Sequence, residues 1–254
     1  MSVYLDHNAT SPLRAQAREA MARAYDAGGN PSSVHGPGRA ARAIVETARA
    51  SLARHFVTRA EDVVFTSGGT EANNLVIASA KAAGAKRLII SAIEHDAVRD
   101  AASASGLQVE ILPVTPEGVA DLGWLEARLS GWDRDTDGTP FVALMAANNE
   151  TGVVQPVEAA GRLVREAEGL FHVDAVQMAG KLAFDFAGSL AHYAALSAHK
   201  AGGPQGVGAL LLACDAPLTR QMHGGGQETG RRSGTENVAG IAGFAAALAA
   251  VEVD

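Results

Sequence analysis

Tyr193-Ala-Ala-Leu-Ser-Ala-His-Lys-Ala-Gly-Gly-Pro-Gln-Gly-Val-Gly-Ala-Leu-Leu-Leu212 is the stretch whose reading decides the fold. A short apolar segment, 194–196, runs into Ser197, Ala198, His199 and Lys200. A loop with Gly202, Gly203, Gly206 and Gly208 follows, and the apolar run 207–212 has strand length. One lysine therefore sits at a strand end, between hydrogen-bonding side chains and backbone that a ligand can approach closely. In a low-dielectric site a lysine loses part of its preference for the charged form. That makes Lys200 a candidate for Schiff-base chemistry with an aldehyde cofactor. A surface lysine beside a turn would leave the same local pattern, so the rest of the chain has to decide.

Working outward, apolar runs and helical patterns alternate. Strands are expected at 62–65, 87–91, 107–112, 141–146 and 170–173, each a continuous run rich in Val, Ile, Leu or Phe. Such runs suit a parallel sheet covered on both faces. Helices are expected at 13–27, 39–56, 71–83, 95–105, 121–129 and 157–168. Residues 28–38 read as a long polar loop, 131–139 as an acidic surface loop, and 238–251 as a buried or interfacial helix. The expectation is an α/β protein with a mostly parallel central sheet flanked by helices. Residues 1–12 are an extended lead and 13–254 one domain.

The chain has 254 residues, of which 47% are hydrophobic, so it can bury a sizeable core. A formal net charge of −7 argues against a dedicated nucleic-acid or anionic-membrane surface. With one cysteine, Cys214, no intrachain disulfide can form, which fits a reducing compartment. Cys214 follows an apolar run and reads as a small hydrophobe at a strand end. The N-terminus shows no signal peptide, and the histidines and the cysteine show no metal-ligand spacing.

Ligands of open α/β sheets bind beyond the carboxyl ends of the strands. Those ends carry Thr66–Thr70, Glu94-His95, Asn148–Gly152, Asp174–Gln177 and Ser197–Lys200. Ser67-Gly-Gly-Thr70 stands between a strand and a helix, so free amides and a hydroxyl would form an anion cup; a simple turn with Thr70 as cap is the alternative. Asp174, 26 residues before Lys200 (200 − 174), ends an apolar strand and needs a cationic partner or donors. A protonated pyridine nitrogen would serve, and Gln177 could reach the same ligand. His95 could stack on a flat ring or move protons. Residues 224–237, with Arg231, Arg232 and Thr235, suit an anion or a partner subunit.

Taken in order, these motifs closely resemble the cysteine desulfurase (NifS-like) branch of the class V aminotransferases, fold-type I pyridoxal-phosphate enzymes. The matching stretches are Gly29-Asn-Pro-Ser-Ser33 with His35, Phe65-Thr-Ser-Gly-Gly-Thr-Glu-Ala-Asn-Asn74, Glu94-His-Asp-Ala-Val98 and Asn148-Asn-Glu-Thr-Gly152 with Gln155-Pro156. They continue with His172-Val-Asp-Ala-Val-Gln177, Gly180-Lys181, Ser197-Ala-His-Lys200 with Gly203-Pro204, and Gly224 to Asn237. The resemblance implies pyridoxal 5′-phosphate held covalently by Lys200, with His95 stacked on its ring. It implies that Asp174 pairs the pyridinium nitrogen and that Gln177 contacts the phenolic oxygen. Gly69, Thr70, Ser197 and His199 would bind the phosphate, Asn149 would lie by the cofactor and the substrate carboxylate, and Thr235 would reach the phosphate site of the other subunit in a homodimer.

By the same resemblance the reaction is conversion of L-cysteine to L-alanine in the cytoplasm. Sulfur would pass to an enzyme cysteine as a persulfide and on to a sulfur-acceptor protein, as in iron–sulfur cluster assembly. Selenocysteine lyase, another class V lyase or transaminase, and a non-catalytic homologue are the alternatives. Family members carry the nucleophilic cysteine and a carboxylate-binding arginine in a smaller C-terminal domain. Cys214 does not match that nucleophile, so 13–254 is expected to be the cofactor-binding large domain, ending in the helix toward the small one. Alone, it is expected not to turn over cysteine.

Overall fold

The computed structural model describes residues 3–251. The first two residues of the expected lead and positions 252–254 of the expected domain lie outside them. Two helices open the chain, α1 (Ala15–Ala27) and α2 (Gly36–His55). The alternating part runs β1 (Val63–Thr66), α3 (Gly69–Ala82), β2 (Arg87–Ser91), α4 (Asp96–Ala104), β3 (Gln108–Leu112), α5 (Leu122–Ser130), α6 (Arg134–Asp137), β4 (Phe141–Ala143), α7 (Val157–Glu166) and β5 (Leu170–Asp174). Two adjacent strands, β6 (Tyr193–Ser197) and β7 (Gly208–Leu212), precede α8 (Val238–Val251).

The strands form one sheet in the order β1-β7-β6-β5-β4-β2-β3. β7 runs antiparallel to β1 and β6, and the remaining pairings are parallel. The carboxyl ends of the parallel strands therefore share one edge of the sheet, where β7 begins at Gly208. The mostly parallel α/β architecture read from the sequence is the one observed.

Side-chain alternation along each strand builds a core on either face. Val63, Phe65, Ala194, Leu196 and Leu211 join one cluster with Leu52, Phe56 and Phe244. Val64, Tyr193, Ala195, Leu210 and Leu212 join the other with Leu75, Val76 and Phe141. β3 departs from the fully buried expectation: it is an edge strand, and Val109 and Ile111 are exposed. No helix among the described residues is long and apolar enough to cross a membrane.

Several boundaries move for local reasons. α2 begins inside the expected polar loop, because His35 caps it by accepting from the Gly38 amide and Pro37 sits in its first turn. α3 begins at Gly69, two residues early, and this frees its first amides at the sheet edge. β4 is short, yet Leu144 N and Ala146 N still donate to His172 O and Asp174 O, so the chain keeps its course toward the edge. The stretch 131–139 is not simply a surface loop. It holds α6, and Asp137 turns inward between Arg87 (2.9 Å) and Arg128 (3.0 Å). Burial opposes that carboxylate's charge, but the two guanidiniums win and hold its pKa low.

Two further readings are corrected or sharpened. Cys214 is exposed rather than packed as a small hydrophobe. Leu212 pairs with Tyr193 at the start of β6, so Cys214 lies at the sheet edge opposite Lys200. The glycine-rich stretch 224–237 is pinned rather than loose. Glu228, itself in the left-handed region at φ 48°, sends its carboxylate inward. There it receives both terminal nitrogens of Arg49 at 2.8 and 2.9 Å and the Phe65 amide at 3.0 Å. A forked, buried pair of this kind fixes where the loop starts.

Candidate active site

A pocket of about 230 Å³ opens at the carboxyl edge of the sheet. Nine of the ten site residues read from the sequence line it: Gly69, Thr70, His95, Asn149, Asp174, Gln177, Ser197, His199 and Lys200. The tenth, Thr235, does not. It lines a separate cleft with Ser67, Gly206 and Arg232. Asn73, Ala97, Met145 and Val176 complete the wall and were missed. Asn73 could have been found, since it lies one helical turn after Gly69.

Each strand end contributes one part. β6 ends in a single 3-10 turn, Ala198–Lys200, which presents Lys200 at the pocket. The half-buried ammonium donates to the carbonyls of Asn8 (2.5 Å) and Ala9 (2.9 Å). Desolvation lowers its pKa, and Asp174 and Asp6 only partly offset this. β5 ends at Asp174, which is buried. Its Oδ1 accepts from Val176 N at 3.0 Å and its Oδ2 from Asn73 Nδ2 at 2.7 Å. Desolvation raises the Asp174 pKa, and these donors and the charge of Lys200 only partly offset this.

β1 leads through Ser67 and Gly68 into α3, whose first amides have no partner within the helix. Gly69 is required here: a Cβ on it would stand 2.6 Å from Val176 Cγ2. Gly208, at the start of β7, is required too, because a Cβ would come within 2.7 Å of Gly68 Cα. Ser197, His199 and Thr10 face the cleft that adjoins these amides. Glu71 would oppose an anion there, but its carboxylate is occupied by the Ser67 amide (2.8 Å) and by Arg232 (2.8 Å). Burial works to raise the Glu71 pKa, and these partners bring it below the usual range.

His95 caps α4, its Nδ1 accepting from Ala97 N at 3.0 Å, which leaves Nε2 free for the pocket. The lead segment closes one side, a contribution its sequence gave no sign of. Asn8 O accepts from Gln177 Nε2 (3.0 Å), Asn8 Nδ2 donates to Asn149 O (2.9 Å), and Thr10 Oγ1 meets His199 Nδ1 (3.1 Å). Lys181, quoted for its motif but given no role, donates to Gln177 Oε1 and Asn8 Oδ1.

Behind the pocket lies Glu94. Its Oε1 accepts from Ser91 Oγ and Met145 N, both at 2.7 Å, while its Oε2 is buried without a partner. Burial first, then the nearby Asp174 charge, pushes its pKa up to about 8. Of the two carboxylates, Glu94, with one oxygen unpartnered, therefore keeps the proton, and Asp174, with a donor on each oxygen and Lys200 nearby, carries the charge.

The chain is similar to known proteins along nearly all of its length. The class V aminotransferase family model matches residues 3–253. A cysteine desulfurase IscS from Anaeromyxobacter sp. (strain Fw109-5) is 44% identical over 98% of this chain and 63% of its own length. A solved NifS-like protein superposes with a TM-score of 0.92 at 39% identity, covering 100% of this chain and 70% of that one. A structure described as SspA in complex with cysteine gives 0.88 at 32% identity over 98% of this chain and 72% of that one. The chain belongs to the class V aminotransferase family. It spans less than two thirds of the length of the Anaeromyxobacter relative.

Glu94 generates a pH signature. Its folded pKa of about 8 lies above the unfolded value near 4.5. Its contribution to stability is thus fully present below pH 4.5, falls as pH rises toward 8 and is flat beyond. The expected slope in that window is about 1.4 kcal/mol per pH unit. In urea denaturation from pH 5 to 8, the stability of the parent relative to Glu94→Gln should fall by this slope, the other titrating groups being common to both. Equal slopes in both would mean that Glu94 ionises normally.

Proposed function

We infer that the pocket holds pyridoxal 5′-phosphate on Lys200 and that the whole protein is a cysteine desulfurase. The observation that carries this is the convergence of a lysine, a buried aspartate and an anion cup in one pocket of ligand size. The donor set fits that group. The free amides of Gly69 and Thr70, with the hydroxyls of Thr70 and Ser197, suit a phosphate at a helix N-terminus. A glycine at 69, where a Cβ would clash with Val176, lets the start of α3 sit in the same pocket wall as Asp174. When bound, the group supplies a protonated ring that acts as an electron sink.

The residues then have separate tasks. Asp174 would pair with the ring nitrogen and favour its protonated form. Gln177, its amide oriented by Lys181, would donate to the phenolic oxygen. His95 would pack on the ring, and its Nε2, which carries the ring's proton because Nδ1 accepts from Ala97 N, would donate a hydrogen bond into the pocket. Lys200, with its depressed pKa, would hold the cofactor and, when released, could carry a proton at the reacting carbon. Asn149 lies where the substrate carboxylate would be received.

The cysteine desulfurases among the relatives, and the solved neighbour whose description includes cysteine, support L-cysteine as the substrate. In the overall reaction the cysteine C–S bond breaks and a thiol RSH takes the sulfur as RS–SH. The released L-alanine gains the hydrogen at its former CH₂. Cys214 cannot be that thiol, because β7 carries it to the opposite edge of the sheet. The accepting thiol belongs to a part of the protein beyond residues 3–251 or to an acceptor protein. Such thiol chemistry suits the reducing cytoplasm.

Borohydride reduction of the protein mixed with pyridoxal phosphate, followed by peptide mapping, should leave the label on Lys200. Label on Lys181, the other half-buried amine beside Asn8, would overturn the assignment. The place of Thr235, in its own cleft beside Ser67 and Arg232, supports a homodimer in which it serves the second copy's site. Sedimentation should then give a dimer with cofactor bound. A cofactor-loaded monomer at high concentration would remove Thr235 from the site.

A further inference from the structure

We propose that Asn73 and His172 are positioning residues: a buried chain of hydrogen bonds, every donor pointing toward Asp174, that holds its carboxylate ionised and turned to the pocket. The proposal deepens the pyridoxal phosphate reading of the site and rests on it for its purpose, though not for its geometry. His172 lies two residues before Asp174 on β5, so both side chains leave the same face of the sheet. Asn73 comes down from α3, one turn after the Gly69 amide. Asn73 and His172 are fully buried, and Asp174 is nearly so. His172 Nε2 meets Asn73 Oδ1 at 2.7 Å, and Asn73 Nδ2 meets Asp174 Oδ2 at 2.7 Å.

The direction of these bonds is forced from the carboxylate backwards. An ionised carboxylate only accepts, so Asn73 must show it the amide nitrogen. The amide oxygen then faces His172, which must carry its proton on Nε2. Burial pushes the His172 pKa down to about 3, so the ring is neutral and has one proton to place. Its Nδ1 has no hydrogen-bond partner among the described residues; the Tyr193 backbone works to raise the ring's pKa, and burial outweighs it. The opposite orientation would set the Asn73 oxygen against a carboxylate oxygen, which requires Asp174 to be protonated. Asp174 would then be no partner for a cationic ring.

A chain that merely satisfied buried polar groups would be indifferent to the state of Asp174. The two roles differ when Asn73 and His172 are replaced by apolar side chains. Loss of both partners of a buried hydrogen bond can be nearly neutral for stability. Loss of donors to an anion raises that anion's pKa. The charged or titratable groups that face Asp174 from other elements are His95 on the α4 cap, Lys200 after β6, and Glu94, which keeps its proton. They remain in every variant named here.

The test has two arms. In the ligand-free protein, the nitrogen NMR shifts of His172 should report the Nε2–H tautomer with no titration down to pH 5. The carboxyl carbon of Asp174 should titrate about one pH unit higher in Asn73→Leu and in the double variant Asn73→Leu/His172→Phe. His172→Gln, which keeps a donor, should lie near the parent and covers the case in which the apolar variants fail to fold. In the second arm, the affinity for pyridoxal phosphate should fall about ten-fold in Asn73→Leu. An Nδ1–H ring, or an Asp174 titration unmoved by Asn73→Leu, overturns the proposal. A shifted Asp174 in a protein that binds no pyridoxal phosphate in any form supports the chain and defeats the functional reading instead.

Discussion

Burying the Asp174 carboxylate is the constraint on which the rest of the site depends. A charge moved out of water at the end of a sheet strand needs donors and a cation to answer it. Asn73 and the Val176 amide supply the donors, Lys200 the nearby positive charge, and Glu94 yields by keeping its own proton. These groups arrive from α3, the turn before α4, the end of β5 and the turn after β6. The carboxylate can be held only if α3, α4, β5 and the turn after β6 all end at the same edge of the sheet. The fold requirement and the site requirement are thus one requirement, met by parallel strands and short turns.

The same edge explains why so much backbone detail is invested in places remote from the chemistry. Gly69 and Gly208 let α3, Val176 and the start of β7 approach within distances that a side chain would forbid. Arg49 and Glu228 anchor the glycine-rich segment against β1, and Arg232 carries that anchorage to Glu71 beside the anion cup. The lead segment, 3–12, has no regular structure of its own. It nevertheless supplies carbonyls to Lys200 and Gln177 and a hydroxyl to His199. A backbone without secondary structure is well placed to do this, since its carbonyls are not committed to a ladder or helix.

Much of this was legible in the sequence, and the limits were physical. Strand positions such as Arg87–Ser91 could be read because a strand buried on both faces leaves a continuous apolar run. The edge strand β3 reads the same way although Val109 and Ile111 are exposed, since the run does not reveal which strand lies outermost. The site residues could be read because they follow strands and motifs directly. Asp137 and Glu228 could not: an acidic residue in a polar stretch looks solvated until the arginines that bury it, Arg128 and Arg49, are placed by tertiary structure. Cys214 failed the other way, because a residue just past an apolar strand can leave the core within one step. The Asn73–His172 contact joins residues 99 positions apart and had no local signal.

The most direct measurement of the account is the protonation of the ring nitrogen of bound pyridoxal phosphate, read from its nitrogen NMR shift after isotopic labelling of the cofactor. At neutral pH the nitrogen should be protonated in the parent protein and should lose that proton in Asp174→Asn, while the cofactor stays attached to Lys200. A ring nitrogen that is unprotonated in the parent, or that remains protonated in Asp174→Asn, would contradict the claim that the buried carboxylate organises the site.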